Sequence, residues 1–160
     1  MNDRSAPLPT SNRARVTAAA LALVLGLAVL SSCSSSDQGQ TAADAAHAQV
    51  GKPYVYGGNS PSTGFDCSGL TSWSWKQAEV TIPRTATAQY QATTRLTRSQ
   101  LQPGDLIFYG SSVNNIQHVA IYYGNNMAVS ASNPSTGVEM INVDQWWLSA
   151  RVAYGRVSTD

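Results

Sequence analysis

Two cysteines and two histidines are present among the 160 residues, and one of each stands where a nucleophile and a base would have to stand. Cys67 sits in Gly64-Phe65-Asp66-Cys67-Ser68-Gly69, where a glycine-containing loop runs into a segment patterned as helix. A thiol in a first helical turn feels the partial positive charge of the helix N-terminus, which favours thiolate. The free N–H groups of the same turn are placed to hold an oxyanion beside the nucleophile. Asp66 opposes the thiolate electrostatically, so it reads as a helix cap or as a ligand for a substrate amine. A cysteine here is either a small buried hydrophobe or a reactive thiol. The polar flanks Asp66 and Ser68 favour the reactive reading.

An imidazole base must come from His47 or His118. His118 opens His118-Val119-Ala120-Ile121-Tyr122-Tyr123-Gly124, the start of an apolar strand after a polar loop, where a base is held rigidly at a cleft edge. The plainer alternative is a surface histidine at a strand end. His47 lies in an alanine-rich stretch and reads as solvent-facing or locally packed. Other chemistries lack their residues. Two histidines and one spare cysteine without paired spacing make no metal site, and no cofactor is expected. The Gly-x-Ser-x-Gly elbow is absent, as is a glycine-rich phosphate loop followed by lysine. Four tryptophans and seven tyrosines raise the question of a carbohydrate-binding surface. Trp73, Trp146 and Trp147 lie in segments patterned for burial, however, and read as core or rim packing.

The elements that must position these residues follow from pattern. Alanine-rich 41–50 predicts a helix ended by Gly51 and Pro53. Residues 57–64 are a loop by composition. A helix is predicted from Asp66 or Cys67 to about Ala78, with Leu70, Trp73 and Gln77 on one face. A shorter helix is predicted over 85–94. Gln102-Pro103-Gly104-Asp105 is a turn signal. Strands then follow at 106–109, 119–123, 127–131, 138–143 and 152–157. Helices first and hairpin-joined strands later predict an α+β fold with an antiparallel sheet.

Three arginines against one aspartate give residues 1–33 a net charge of +2, whereas seven Lys/Arg against eight Asp/Glu leave 34–160 at −1. That near-neutral body provides no electrostatic footing for nucleic acid. In the N-terminal part, Arg13 and Arg15 precede an apolar run over 16–30 and then Leu30-Ser31-Ser32-Cys33, the layout of an export signal. As a helix that run reaches roughly 22 Å, short of the ~30 Å hydrocarbon core, so a spanning helix is the weaker reading. The ending resembles a bacterial lipoprotein signal, in which Cys33 is lipidated; the alternative is an ordinary cleaved signal. The predicted organisation is a lipoprotein signal over 1–33, a flexible tether over 34–44 and one domain over 45–160. The tether's Ser-Ser-Ser-Asp-Gln-Gly-Gln stretch reaches at most ~25 Å. With Cys33 consumed by lipid, Cys67 has no disulfide partner in an oxidising setting.

Taken in order, Gly51-Lys52-Pro53-Tyr54-Val55-Tyr56-Gly57-Gly58, the Cys67 motif through Leu70, Ile82-Pro83-Arg84-Thr85, Pro103-Gly104-Asp105-Leu106 and His118-Val119-Ala120-Ile121-Tyr122 resemble the NlpC-type cell-wall peptidases. The resemblance runs from about Ala45 to Val157. It implies a papain-like α+β fold, with helices packed on the antiparallel sheet. It also implies hydrolysis within murein stem peptides, typically between D-glutamate and the following diamino acid. Carried over by position, Cys67 is the nucleophile, His118 the base and Tyr54 the aromatic hydroxyl near the oxyanion. Asp66, Ser68 and Arg84 fall on the substrate side. The family usually places His, Asn, Gln or Glu twelve residues after the base; here Ser130 stands there, short and uncharged, with Asn133 or Glu139 as possible substitutes.

The leading expectation is therefore a monomeric lipoprotein murein endopeptidase. It is exported and lipid-anchored in the cell envelope, at the cell membrane or the periplasmic face of an outer membrane, with wall stem peptides as partner. Two alternatives stay open: a wall-peptide-binding lipoprotein of the same fold with weak or no catalysis, which Ser130 favours, and an acyl-transferring relative.

Overall fold

The computed structural model describes residues 35–144 and 151–159. The expected signal over 1–33 with Cys33, and Trp146 and Trp147, lie outside the described residues. Among the described residues no helix is long and apolar enough to cross a membrane. Three helices, α1 (Ser35–His47), α2 (Cys67–Gln77) and α3 (Ala86–Ala92), come first in the chain. A short hairpin of β1 (Asn59–Ser60) and β2 (Gly64–Phe65) sits between α1 and α2. The main sheet holds β3 (Thr93–Leu96), β4 (Leu106–Ser112), β5 (Asn115–Gly124), β6 (Met127–Asn133), β7 (Gly137–Asn142) and β8 (Arg151–Val157). All its pairings are antiparallel, in the order β3-β8-β4-β5-β6-β7. This is the α+β arrangement predicted.

Local chemistry accounts for the sheet's regular half. β5 and β6 are joined by Asn125-Asn126 alone, at φ +50° and +61°. Two positive-φ residues in a two-residue loop match the twist of the flanking strands, and asparagine tolerates that conformation. Helices and sheet meet in a core of Ala42, Ala46, Phe65, Leu70 and Trp75 against Leu106, Phe108, Val119, Ile121, Val129 and Val138. A second buried cluster gathers Ile107, Tyr109, Ala120, Ala128, Ile141 and Val143.

The predicted tether over 34–44 is corrected, because α1 begins at Ser35 and belongs to the domain. Gly39, Ala42, Ala43 and Ala46 are buried, while Asp37, Gln40, Thr41 and Asp44 face solvent. The buried side is so short-chained that the helix lies directly on the turn at 102–105. A Cβ on Gly39 would stand 2.5 Å from the Pro103 carbonyl oxygen. The same turn receives α2, since Trp75 Nε1 donates to the Gly104 carbonyl at 3.2 Å. It is tied to β8 by Arg156, whose Nε and Nη2 reach Asp105 at 2.9 and 2.8 Å. Pro103-Gly104 is thus the point where α1, α2 and the sheet are pinned together.

Three smaller expectations also change. The buried residues of α2 are Ser68, Gly69, Leu70, Thr71, Ser74 and Trp75, whereas Trp73 is half-buried and Gln77 exposed. The face is rotated because Ser74 and Thr71, polar but small, fit against neighbouring elements. The shorter helix predicted over 85–94, α3, stops at Ala92, and Thr93 onward pairs with β8 as a strand. Within the expected loop over 57–64, a two-residue strand pair forms.

Candidate active site

Cys67 is the first residue of α2, and Asp66 is its N-cap, accepting from the Gly69 amide at 2.6 Å. Capping of this kind satisfies a donor with no intrahelical partner and sets where the helix starts. Asp66 does more than cap. Its two oxygens also accept from Arg84 Nη1 at 2.9 Å, Arg84 Nη2 at 2.7 Å and the Gly57 amide at 2.9 Å. Arg84 in turn donates to Ser68 Oγ at 3.0 Å and the Gly58 carbonyl at 3.3 Å. The three residues expected on the substrate side therefore hold one another. With its oxygens taken up by the protein's own donors, Asp66 is occupied as a cap and an ion-pair partner, not as a free ligand for a substrate amine.

The strand bearing the base reaches the same helix start. The backbone amides of Val119, the residue after His118, of Ser68 and of Cys67 itself lie near enough to the Cys67 sulfur to favour its thiolate. His118 is buried, and its Nε2 lies 2.8 Å from Ser130 Oγ on the adjacent strand β6. Ser130 is fully buried and accepts from Ser132 Oγ at 3.1 Å. The two substitutes considered for this position are engaged elsewhere. Asn133 accepts from the amides of Ser135 and Thr136, and Glu139 accepts from Thr136 Oγ1 at 2.8 Å. His47, the other histidine, is exposed and stacks on Tyr123 with ring centroids 4.7 Å apart.

Burial sets the resting charges. It pushes the Cys67 thiol up, and Asp66 adds to this, outweighing the three amides that pull it down. Burial also pushes His118 down to about 3, against a weaker opposing pull from Asp66. The expectation that the helix N-terminus yields a thiolate is thus reversed. The helix field is present, but desolvation is larger, and both groups rest neutral at pH 7. Tyr54 is pushed up by burial and by its nearness to Cys67 and Asp66.

Cys67 and Tyr54 open on a cleft of about 470 Å³ that Tyr56, Asp66, Ser68, Arg84 and Gln117 also line. Among the described residues, no cluster of three His, Cys, Asp or Glu side chains is placed to hold a metal ion. One supporting residue was missed from sequence. Gln89 of α3 is buried, donates to the carbonyls of Ser68 and Pro83 at 3.0 and 2.8 Å, and accepts from Thr71 at 2.8 Å. It joins the first turn of α2 to the segment bearing Arg84. A glutamine in a short polar helix reads as surface, and nothing in its neighbours signals otherwise.

Comparison with known proteins bears on this site directly. The pattern of the NlpC/P60 family matches residues 51–156. A Listeria seeligeri protein described as a probable endopeptidase p60 is 45% identical over 115 residues, covering 70% of this chain and 21% of that protein. The bifunctional muramidase/DL-endopeptidase CwlT of Bacillus subtilis is 38% identical over 110 residues, covering 67% of this chain and 33% of CwlT. The chain therefore spans between a fifth and a third of the length of these two relatives. The solved structure of the peptidoglycan hydrolase RipB from Mycobacterium tuberculosis superposes with a TM-score of 0.67 at 30% identity, over 79% of this chain and 67% of that one.

Proposed function

Because the chain belongs to the NlpC/P60 family and has its α+β, papain-like fold, we propose that it is a cysteine peptidase hydrolysing amide bonds in the stem peptides of bacterial peptidoglycan. The bond assigned is the one between D-glutamate and the diamino acid. The observation that carries this reading is Cys67 at the start of α2, lining a cleft, with the His118 strand packed against that helix.

Chemistry from a neutral pair requires proton transfer in step with attack. Cys67 Sγ adds to the amide carbonyl while its proton passes to His118. The negative charge gathers on the carbonyl oxygen, where the Cys67 and Ser68 amides at the helix start and the Tyr54 hydroxyl stabilise it. His118 gives its proton to the leaving amine as the C–N bond breaks, leaving an acyl-enzyme. Water, losing a proton to His118, then releases the acid and restores the thiol. Ser130 orients the ring through Nε2, and Asp66, Ser68 and Arg84 form the wall on the substrate side.

The N-terminal segment is assigned as a lipoprotein signal that leaves the domain anchored through Cys33 in the cell envelope; this part rests on the sequence of 13–33. Digestion of purified wall peptides by the chain from residue 34 onward, with mass analysis, tests the assignment. Release of fragments split after D-glutamate, lost in Cys67→Ala protein of unchanged melting temperature, is the expected result. Equal turnover by Cys67→Ala would overturn the mechanism. Ser130, uncharged and hydrogen-bonded on both sides, favours a second reading in which the same cleft binds wall peptides with little turnover. Binding of stem peptides without product would select it.

A further inference from the structure

A second cleft of about 390 Å³ shares Arg84 with the first. Asn59 and Ser60 of β1, Ser72, Trp73 and Lys76 of α2, and Thr81 and Ile82 in the segment before Arg84 complete its wall. Its chemistry is one-sided. No aspartate or glutamate lines it, and hydrogen-bond donors surround it. Arg84's charge is already balanced by Asp66 at 2.7 Å, so it contributes no net attraction. Lys76 is different: it is exposed, and among the described residues its ammonium makes no ion pair or hydrogen bond. The side chains of Asn59, Trp73 and Thr81 likewise make no hydrogen bond among the described residues. Trp73 and Ile82 are half-buried and provide an apolar wall. An unbalanced cation beside unpaired donors and an aromatic ring suits an anionic group on a partly apolar chain.

We propose that this cleft is a subsite for a carboxylate-bearing segment of the wall peptide, with Lys76 as the counter-charge. The identity of the ligand rests on the peptidase reading of the Cys67 cleft. A stem built on D-glutamate and a diamino acid carries free carboxylates beside its scissile bond, and a cross-linked neighbour adds more. Because Arg84 borders both clefts, a peptide seated at Cys67 continues into the second without leaving the surface. Lys76 then selects for peptides whose carboxylates are free over those in which they are amidated. A neutral saccharide would leave the lysine unpaired, so the peptide is the occupant the charge favours.

The test uses the full chain carrying Cys67→Ala, so that nothing is cut, titrated with a cross-linked pair of stem peptides in free-acid and in fully amidated form. The acid form should bind about five- to tenfold more tightly, the scale of one accessible charge pair with hydrogen bonds around it. Added Lys76→Gln should remove that preference while leaving the affinity for the amidated form unchanged; Lys76 is exposed, so the variant should melt as its parent does. Raised salt should shrink the preference in the Lys76 protein alone. Equal binding of acid and amide, a preference untouched by Lys76→Gln, or no binding of either peptide would each overturn the subsite. Competition by a neutral disaccharide of N-acetylglucosamine that Lys76→Gln does not alter would overturn it in favour of a sugar site. Failure of the peptidase reading shows separately, as absence of cleavage of a short single stem by the unsubstituted chain.

Discussion

Acid should destabilise this domain through His118, and the size of the effect follows from its burial. The ring titrates at about 3 in the folded chain against an ordinary 6.5. Between those values the unfolded chain holds a proton that the folded chain lacks, so stability falls as pH drops through 6.5 and levels off below about 3. The slope in that window is about 1.4 kcal/mol per pH unit, so at pH 5 the loss is about 2 kcal/mol. Urea unfolding at pH 7.5 and pH 5.0 measures it, with His118→Gln as the comparison. Glutamine is neutral throughout and offers an amide to Ser130 in place of Nε2. Other titrating groups contribute to both proteins and cancel in the difference. The unsubstituted chain should lose about 2 kcal/mol more than His118→Gln over this interval. Equal losses would mean that the folded protein protonates His118 readily, and would refute the neutral thiol–imidazole pair on which the proposed proton transfer depends.

Gly39→Ala should lower the melting temperature although alanine is the better helix former by about 1 kcal/mol, because its Cβ meets the Pro103 carbonyl at 2.5 Å. A thermal melt showing stabilisation would detach α1 from the turn and restore the tether. Ser130→Ala should reduce kcat only modestly, far less than the ~10⁴ lost when a serine protease loses its aspartate, while Ser130→Asn should raise it; steady-state assay of both, beside Glu139→Gln, reads the result, and collapse at Glu139 would move the orienting role there. Cys33→Ala should move the protein out of the membrane fraction, and retention through an alkaline wash would make the apolar run over 16–30 the anchor itself.

The strands and the nucleophile's helix were legible because their signals are local. Apolar runs bounded by turn signals mark the strands from Leu106 onward, and Asp66 before Cys67 marks a helix start that the structure places at Cys67. The misreadings share a cause, which is that the deciding partner lies far away in sequence. Ser35 to Asp44 look like a linker until Gly39, Ala42 and Ala46 are set against the turn some sixty residues on. Gln89 is unremarkable until Ser68 and Pro83 close over it. The thiol's charge depends on desolvation by burial in the folded domain, which spacing alone does not reveal. Which strand fills which place in the sheet is equally non-local, and the insertion of β8 between β3 and β4 left no trace in pattern.

That insertion governs when the protein can exist as a folded object. β8 is the last strand in the chain, yet it occupies an interior position, bonded to β3 on one side and β4 on the other. Until residues 151–157 have been made, β3 has no partner and β4 presents an open edge. Synthesis runs from the N-terminus, so α2 with its thiol and β5 with its imidazole leave the ribosome well before the strand that closes their sheet. Contacts spanning so many residues form late and slowly. A chain exported as proposed above would therefore reach its channel unassembled, in the threadable form that translocation needs. It would complete its sheet after the whole domain had crossed, on the side of the membrane where its proposed substrate lies.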